Sequence, residues 1–316
     1  MIKVAMVGTG IIAKSHIQAI NKLDSFRLVA VCDVNEEKAK SFAEENDVPY
    51  FLNYKDIPEN VECDAVILNL PHWLHCEASV FFLEHGIHVF CEKPMANTVE
   101  ECDRIIETAE KCGKIFVVGH VMRFAAGNKY VKKIYESGEL GKLVTYTENR
   151  TINYFQDSRP KWFFNKKLAG GGIMMNYGAH TFDRLFSIME GANITSISSN
   201  CGNVKNDYDV EGHAQFFAQF DNGVSAAVTF SGYSAQTYDC YFFFTEGAIH
   251  TTPHSIEIDR NDARGFQPVE VTADTFADQL TDFGERIMGR HSTSPDGIYG
   301  RRIIETIQKI YKDNDI

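Results

Sequence analysis

The first thirteen residues leave this chain few folds to choose from. Met1-Ile2-Lys3-Val4-Ala5-Met6-Val7 is a short apolar run of the kind that makes a buried strand, and it leads straight into Gly8-Thr9-Gly10-Ile11-Ile12-Ala13. A G-x-G-x-x-A sequence between a strand and a helix works through geometry. Gly8 permits a tight turn, Gly10 lets the backbone approach a pyrophosphate, and Ala13 is small enough for helix and sheet to pack closely. The helix that starts there offers unpaired N–H groups and the positive end of its dipole to phosphates. Thr9, Ile11 and Ile12 therefore belong to the same expected dinucleotide cradle. Asp33 ends the next apolar run, Leu28-Val29-Ala30-Val31-Cys32. A carboxylate at the end of the second strand accepts hydrogen bonds from ribose hydroxyls and repels a 2′-phosphate, which favours NAD over NADP. The same residue also suits the cap of the helix that follows.

The rest of the chain supplies the frame this motif needs. Strand-like runs at Ile2–Val7, Phe26–Cys32, Ala65–Leu70, His88–Cys91 and Ile115–Val118 alternate with helical patterns at about 11–23, 35–46, 73–85 and 98–112. That alternation implies a parallel sheet with helices on both sides. Beyond residue 120 the pattern changes. A helix is expected at about 126–137 and another at about 173–189 after the glycines Gly170, Gly171 and Gly172. Strand runs follow at 193–203, 212–220, 223–231, 238–245 and 248–258, with Asp221-Asn222-Gly223 as a hairpin turn. The fold expected is α/β: an N-terminal Rossmann doubly wound parallel sheet at 1–120, then a C-terminal α+β domain with a large, mostly antiparallel open sheet at 121–316. The late strands are apolar on both faces. Phe216 and Phe220 oppose Phe217, and Phe242 and Phe244 oppose Tyr241 and Phe243. One face suits helices of the same domain. The other suits a homodimer or homotetramer contact through the sheet, unless the monomer covers both.

Charge and composition remove several partner classes. A net charge of −12, without a cluster of basic residues, argues against nucleic acid and anionic membrane surfaces. No apolar stretch approaches the roughly 18 residues of a membrane span. The N-terminal apolar run is too short for a secretion signal, and the eight cysteines contain no C-x-x-C pair. Reduced thiols in a cytoplasmic protein are therefore expected. His72, His75 and Cys76, and again His85 and His88, have ligand-like spacing, but a structural zinc site takes about four ligands and these segments do not assemble one. No metal is expected, and His250 and His254 receive no role.

Two further segments carry chemistry. His88-Val89-Phe90-Cys91-Glu92-Lys93-Pro94 sits at a strand end, where ligands of open parallel sheets bind. An ammonium there could stabilise a developing alkoxide, although Lys93 could equally be a surface partner of Glu92. Met174-Met175-Asn176-Tyr177-Gly178-Ala179-His180-Thr181-Phe182-Asp183 follows the glycine run, which would let a substrate or cofactor approach the backbone. On a regular helix Asn176 and His180 share a face and Asp183 lies close to it. His180 is a candidate general base, or else a core or capping histidine.

With the fingerprint at the start, these segments resemble the glucose–fructose oxidoreductase/inositol dehydrogenase family. The likeness extends to His16, to His75 after Pro71, to the Glu92-Lys93-Pro94 triplet and to Gly119 through Phe124. The resemblance implies a dehydrogenase that binds NAD with Gly8, Thr9, Gly10, Ile11, Ile12, Asp33, Leu70, His75, Glu92 and Lys93. It also implies catalysis by Lys93, His180 and Asn176 on a polyhydroxylated small molecule. By residue chemistry, Arg123, Tyr154, Arg159, Lys161 and Trp162 supply the donors and aromatic faces that would line a pocket for a polyhydroxylated ring together with Lys93, Asn176 and His180, or else belong to a solvated loop with one buried Trp. Many dehydrogenases of that family have Asp where this chain has Asn176, and an amide cannot relay a proton as a carboxylate does. Relatives that retain NAD and cleave a glycosidic bond without net redox change, and relatives that bind the dinucleotide as regulators, are the alternatives.

Overall fold

The apolar N-terminal run becomes an interior strand of a parallel sheet in a computed structural model that describes residues 1–204 and 207–316. The sheet has six strands: β1 (Ile2–Val7), β2 (Phe26–Cys32), β3 (Tyr50–Phe51), β4 (Ala65–Leu68), β5 (His88–Glu92) and β6 (Phe116–Gly119). Their order is 3-2-1-4-5-6, and every neighbouring pair is parallel. Succession reverses between β1 and β4, so the carboxyl ends of those strands form the crevice where such sheets bind ligands. Val4, Met6, Ile67, Val89, Phe90 and Val117 are fully buried, as strands covered on both faces must be. The helix Ile11–Ile20 turns Ala13, His16, Ile17 and Ile20 inward, the spacing of one helical face.

This unit comprises Met1–Val121 and Asp274–Glu305. The helix Thr275–Ile287 returns to it, and Phe283 packs against Phe26 and Phe90 with ring centroids 6.4 and 5.5 Å apart. The sequence reading draws one boundary, at residue 120. An amphipathic helix carries no local mark of which core it covers, so this return is visible only in the fold.

The second unit comprises Met122–Ala273 and Thr306–Ile316. Its sheet has eight strands: β7 (Leu143–Asn153), β8 (Ile194–Gly202), β9 (His213–Phe220), β10 (Ser225–Ser231), β11 (Tyr233–Phe244), β12 (Gly247–Thr251), β13 (Ile256–Asp259) and β14 (Gln267–Pro268). They lie in the order 14-13-12-11-7-10-9-8, antiparallel except where β10 runs parallel to β7. The expected hairpin joins β9 to β10: Gly223, at φ +87°, donates to the Phe220 carbonyl, and Phe220 donates to that of Val224. Alternation decides the faces. Phe216, Phe220, Phe230 and Phe242 are buried, and Phe182 stacks on Phe216 at 5.2 Å. On the opposite face Phe217 is 46% and Phe243 38% exposed.

A buried polar cluster fixes the helix Ala179–Ile188 to β7. Arg184 donates to Glu148 Oε2 at 3.1 Å, to the Tyr146 hydroxyl at 2.7 Å and to Asn128 Oδ1 at 2.9 Å. Thr181 and Tyr146 each donate to the same Glu148 oxygen at 2.6 Å. Removing one member of a buried pair leaves an uncompensated charge. Arg184→Leu is therefore expected to cost about 3–5 kcal/mol, read as a lower urea midpoint. A loss below about 1 kcal/mol, the scale of an exposed pair, would show that the cluster does not hold this helix.

Candidate active site

The fingerprint turn has the shape its glycines imply. Gly8 sits at φ +92°, and a Cβ there would lie 2.4 Å from the Asn69 carbonyl oxygen. Gly10 is the N-cap of the helix Ile11–Ile20, supplies no side-chain cap, and has open space where a Cβ would stand. Ile11 is 94% exposed and Ile12 half-buried, so the first turn presents uncapped N–H groups to an open approach. Thr9 is buried and bound to Asp33. Its N–H and hydroxyl donate to Asp33 Oδ2 at 2.9 and 2.8 Å. Asn35 N–H takes Oδ1 at 2.9 Å. The following helix, Glu36–Asn46, is capped by Asn35, whose side chain accepts from Lys38 N–H, so capping is not the task of Asp33. A carboxylate has about four acceptor sites, and the three donors leave room for a hydroxyl. Open space over Gly10 and this acid at the end of β2 fit a dinucleotide.

Next along the sheet edge, two buried histidines fix the strand end that carries Lys93. His16 Nε2 meets Glu92 Oε1 at 2.8 Å, with the imidazole edge-on to Phe90 and Phe276 at 5.4 and 5.3 Å. The other oxygen of Glu92 accepts from Lys93 N–H at 3.3 Å. Glu92 is thus an interior anchor rather than a surface partner. Lys93 is the one partly exposed residue between Val89 and Ala96, and its bond to Pro94 is cis. His75 is fully buried. Nδ1 lies 2.7 Å from the Pro94 carbonyl and Nε2 2.8 Å from that of Leu70. Both ring nitrogens are engaged by main chain, so His75 ties Leu70 to Pro94. Burial lowers its pKa, opposed by the two carbonyls.

The second unit departs from the expected regular helix. Met174–Gly178 forms a π-helical turn, and the α-helix begins only at Ala179. Glu211, in the loop before β9, anchors the entrance to this turn. Its Oε2 accepts from Gly172 N–H and its Oε1 from Met174 N–H, both at 2.8 Å, while its carbonyl accepts from Ile173 N–H at 3.1 Å. Tyr311 donates to Oε1 at 2.8 Å and accepts from Met175 N–H at 3.0 Å. This also corrects the reading of the glycine run. A Cβ on Gly171 would lie 2.0 Å from the Tyr311 hydroxyl oxygen, and one on Gly172 2.1 Å from the Glu211 carbonyl oxygen. Those glycines admit Tyr311 and Glu211, not a ligand.

From Gly171 to Met189 every residue is buried except Asn176 and His180. The two side chains singled out in sequence therefore share the only solvent-facing stripe of the segment. Asp183, expected near that stripe, is fully buried and bound to Arg123, whose Nε and Nη2 lie 3.1 and 2.5 Å from Oδ1. Arg123 thus serves an interior pair before any substrate. Tyr154 is fully buried beneath the Arg159 guanidinium, and Trp162 is half-exposed, stacked on Phe163 at 3.7 Å. Asn69, Glu211, Tyr311 and Arg150 escaped the sequence reading. Asn69 follows β4 and could have been found by the strand-end rule. Glu211 carries one faint signal, an acid between Val210 and Gly212 at the entrance to a strand.

With this geometry in view, the comparisons with known proteins fall into place. Residues 2–120 match the GFO/IDH/MocA profile, described as an oxidoreductase family with an NAD-binding Rossmann fold, and 128–250 match the GFO/IDH/MocA C-terminal domain. A 2,7-anhydro-N-acetylneuraminate hydratase of Mediterraneibacter gnavus is 28% identical over 94% of this chain and 79% of its own. A D-glucoside 3-dehydrogenase of Escherichia coli is 30% identical over 63% of this chain and 57% of its own. The crystal structure of an aldose–aldose oxidoreductase from Caulobacter crescentus, complexed with glycerol, superposes with a TM-score of 0.90 at 24% identity, covering 99% of this chain and 97% of that one.

The Glu211 clamp makes a pH-dependent prediction. Burial raises the Glu211 pKa, and the Gly172 N–H and Tyr311 hydroxyl pull it back. An acid whose folded pKa is raised holds a proton that the unfolded chain has released, so its contribution to stability falls as pH rises through the folded value. Tyr311→Phe removes one of the opposing donors and raises that pKa further. The variant should be less stable by about 1–3 kcal/mol, and its deficit in urea unfolding should be larger at alkaline than at mildly acidic pH. A deficit that is constant with pH would show that the hydroxyl does not act on the carboxylate.

Proposed function

The chain belongs to the GFO/IDH/MocA oxidoreductase family with its NAD-binding Rossmann fold, and from that premise we propose that it is an NAD-dependent dehydrogenase acting on a secondary hydroxyl of a sugar, cyclitol or related polyol. The observation that carries this is the exposure of Asn176 and His180 alone within an otherwise buried segment. Lys93, partly exposed within the buried run at the end of β5, supports the same reading. Gly8, Thr9, Gly10, Ile11 and Ile12 would hold the diphosphate through the helix N-terminus, and Asp33 a ribose hydroxyl. Bound NAD supplies the two-electron acceptor for alcohol oxidation. His180 takes the alcohol proton as general base. The Lys93 ammonium stabilises the oxygen as negative charge develops on it. Asn176 hydrogen-bonds a substrate hydroxyl and so orients it, with no acid–base role of its own.

One relative and one residue favour a second reading. The hydratase aligned over 94% of this chain and the amide at Asn176 are consistent with a reaction that retains NAD and shows no net redox change. Product formed by protein carrying co-purified NAD, without accumulation of NADH, would select it. Net NADH from NAD⁺ and a polyol selects the dehydrogenase. Lys93→Met and His180→Ala should each lower kcat by about 10²–10⁴, and in His180→Ala, which lies outside the expected NAD-binding set, NAD affinity should stay as in wild type. Turnover within a few-fold of wild type in either variant would overturn the assignment.

A homodimer or homotetramer through the outer face of the C-terminal sheet is part of the same proposal. Phe217 and Phe243 on that face are both more than a third exposed. Phe243→Lys is expected to shift sedimentation toward the monomer, and an unchanged sedimentation coefficient would reject this face. A cytoplasmic setting is also proposed, supported by eight cysteines that are all free thiols. Among the described residues no helix is long and apolar enough to cross a membrane.

A further inference from the structure

Two arginines of the C-terminal unit are held in a way its other buried charges are not. The Arg150 guanidinium, on β7, lies between two aromatic faces, 3.6 Å from the Tyr177 centroid and 4.5 Å from that of Tyr238. Its Nη1 is buried without a hydrogen-bond partner. Arg159 repeats the arrangement, 4.2 Å from the Tyr154 centroid and 4.9 Å from that of Phe163, with a buried and unpartnered Nε. The Tyr154 hydroxyl is likewise buried without a partner. Tyr177 is within electrostatic reach of both Arg150 and Tyr154, so these groups form one cluster. Tyr177 is also the immediate neighbour of Asn176 in the turn that exposes His180.

Aromatic stacking satisfies only part of a guanidinium. Its faces rest on the rings, but its N–H donors point outward in the plane and require acceptors. Among the described residues no carboxylate makes an ion pair with Arg150 or Arg159. Asp183 is bound by Arg123, and Glu211 by main-chain N–H groups and Tyr311. Glu148 faces Arg150 electrostatically, but its Oε2 is bound by Arg184, Tyr146 and Thr181, and its Oε1, buried without a hydrogen-bond partner, does not reach the guanidinium. A planar fork of donors between flat walls matches a planar, anionic, bidentate acceptor. Arg150 and Arg159 are both only partly buried as residues.

We propose that the C-terminal unit recognises a carboxylate on its substrate, with Arg150 as the anchor and Arg159 and the Tyr154 hydroxyl as further donors. The substrate class is then a sugar acid or other carboxylated polyol rather than a neutral sugar. This rests on the dehydrogenase reading for the chemistry but not for the binding, and the experiment separates them. NADH-loaded protein is titrated calorimetrically with matched pairs, D-gluconate against D-glucitol and D-glucuronate against D-glucose, with glucose 6-phosphate alongside. The acid of at least one pair should bind about tenfold or more tightly than its neutral partner. Arg150→Met should abolish that preference, and Arg150→Lys, which keeps the charge without the fork, should restore it in part. NADH affinity equal to wild type in the variants reports an intact fold. The proposal fails if neutral members bind as well as acids, if no acid binds at millimolar concentration, if the phosphate is preferred, or if Arg150→Met keeps the acid preference. Neutral polyols oxidised while acids do not bind would end the carboxylate site and leave the dehydrogenase reading standing. Acids bound through Arg150 without NADH formation from any binder would do the reverse.

Discussion

A buried carboxylate that binds main-chain N–H groups two residues apart anchors the segment of the C-terminal unit that carries Asn176 and His180. Glu211 puts one oxygen on Gly172 and the other on Met174, and Tyr311 closes the arrangement by bonding both Glu211 and Met175. A carboxylate has a fixed span between its oxygens, so accepting from both N–H groups sets the path of the chain between them. The π-helical turn Met174–Gly178, which carries Asn176, starts from this anchored segment, and His180 lies in the first turn of the α-helix that follows. Taking a carboxylate out of water is costly unless donors replace the lost hydration. Here Gly172, Met174 and Tyr311 supply donors that offset part of that cost.

The N-terminal unit uses the same device twice. Asp33 gathers Thr9 and Asn35 at the end of β2, and Glu92 joins His16 to the chain at Lys93 at the end of β5. In each case an acid at a strand terminus fixes a segment from elsewhere in sequence. The fingerprint turn is held by more than its glycines: Thr9 has both its donors on Asp33, so the turn and the acid at the end of β2 are one structure. The features that would bind NAD therefore exist as geometry in the chain itself.

How much of this could be read in advance follows from the range of each interaction. The Gly8 turn was legible because a positive φ and a close approach to Asn69 leave glycine as the natural occupant. The sheet faces were legible because Phe216 and Phe217 differ in burial by strand periodicity alone. Asn176 and His180 were legible as a pair because both lie on one short segment. His16 and Glu92 were each noticed, but 76 residues separate them and no local periodicity joins them. Gly171 and Gly172 were read as openings for a ligand, since glycine records only that something comes close. What comes close, Tyr311 and Glu211, is known only once the chain has folded. The return of Thr275–Ile287 to the first unit belongs to the same class of long-range fact.

The same accounting of donors and acceptors gives the remaining arginines their meaning. When this unit uses a guanidinium for internal structure, it supplies oxygen acceptors. Arg184 has Glu148, Tyr146 and Asn128, and Arg123 has Asp183. Arg150 and Arg159 have ring faces instead, and each has one buried nitrogen, Nη1 and Nε respectively, without an acceptor. A pair of tyrosines can orient a cation and exclude water from its faces, but they cannot complete its hydrogen bonding. Where the other buried guanidinium groups of the unit are matched to oxygen acceptors, one oriented by ring faces and left with an unmatched buried N–H reads as a position completed by a molecule that the chain does not itself contain.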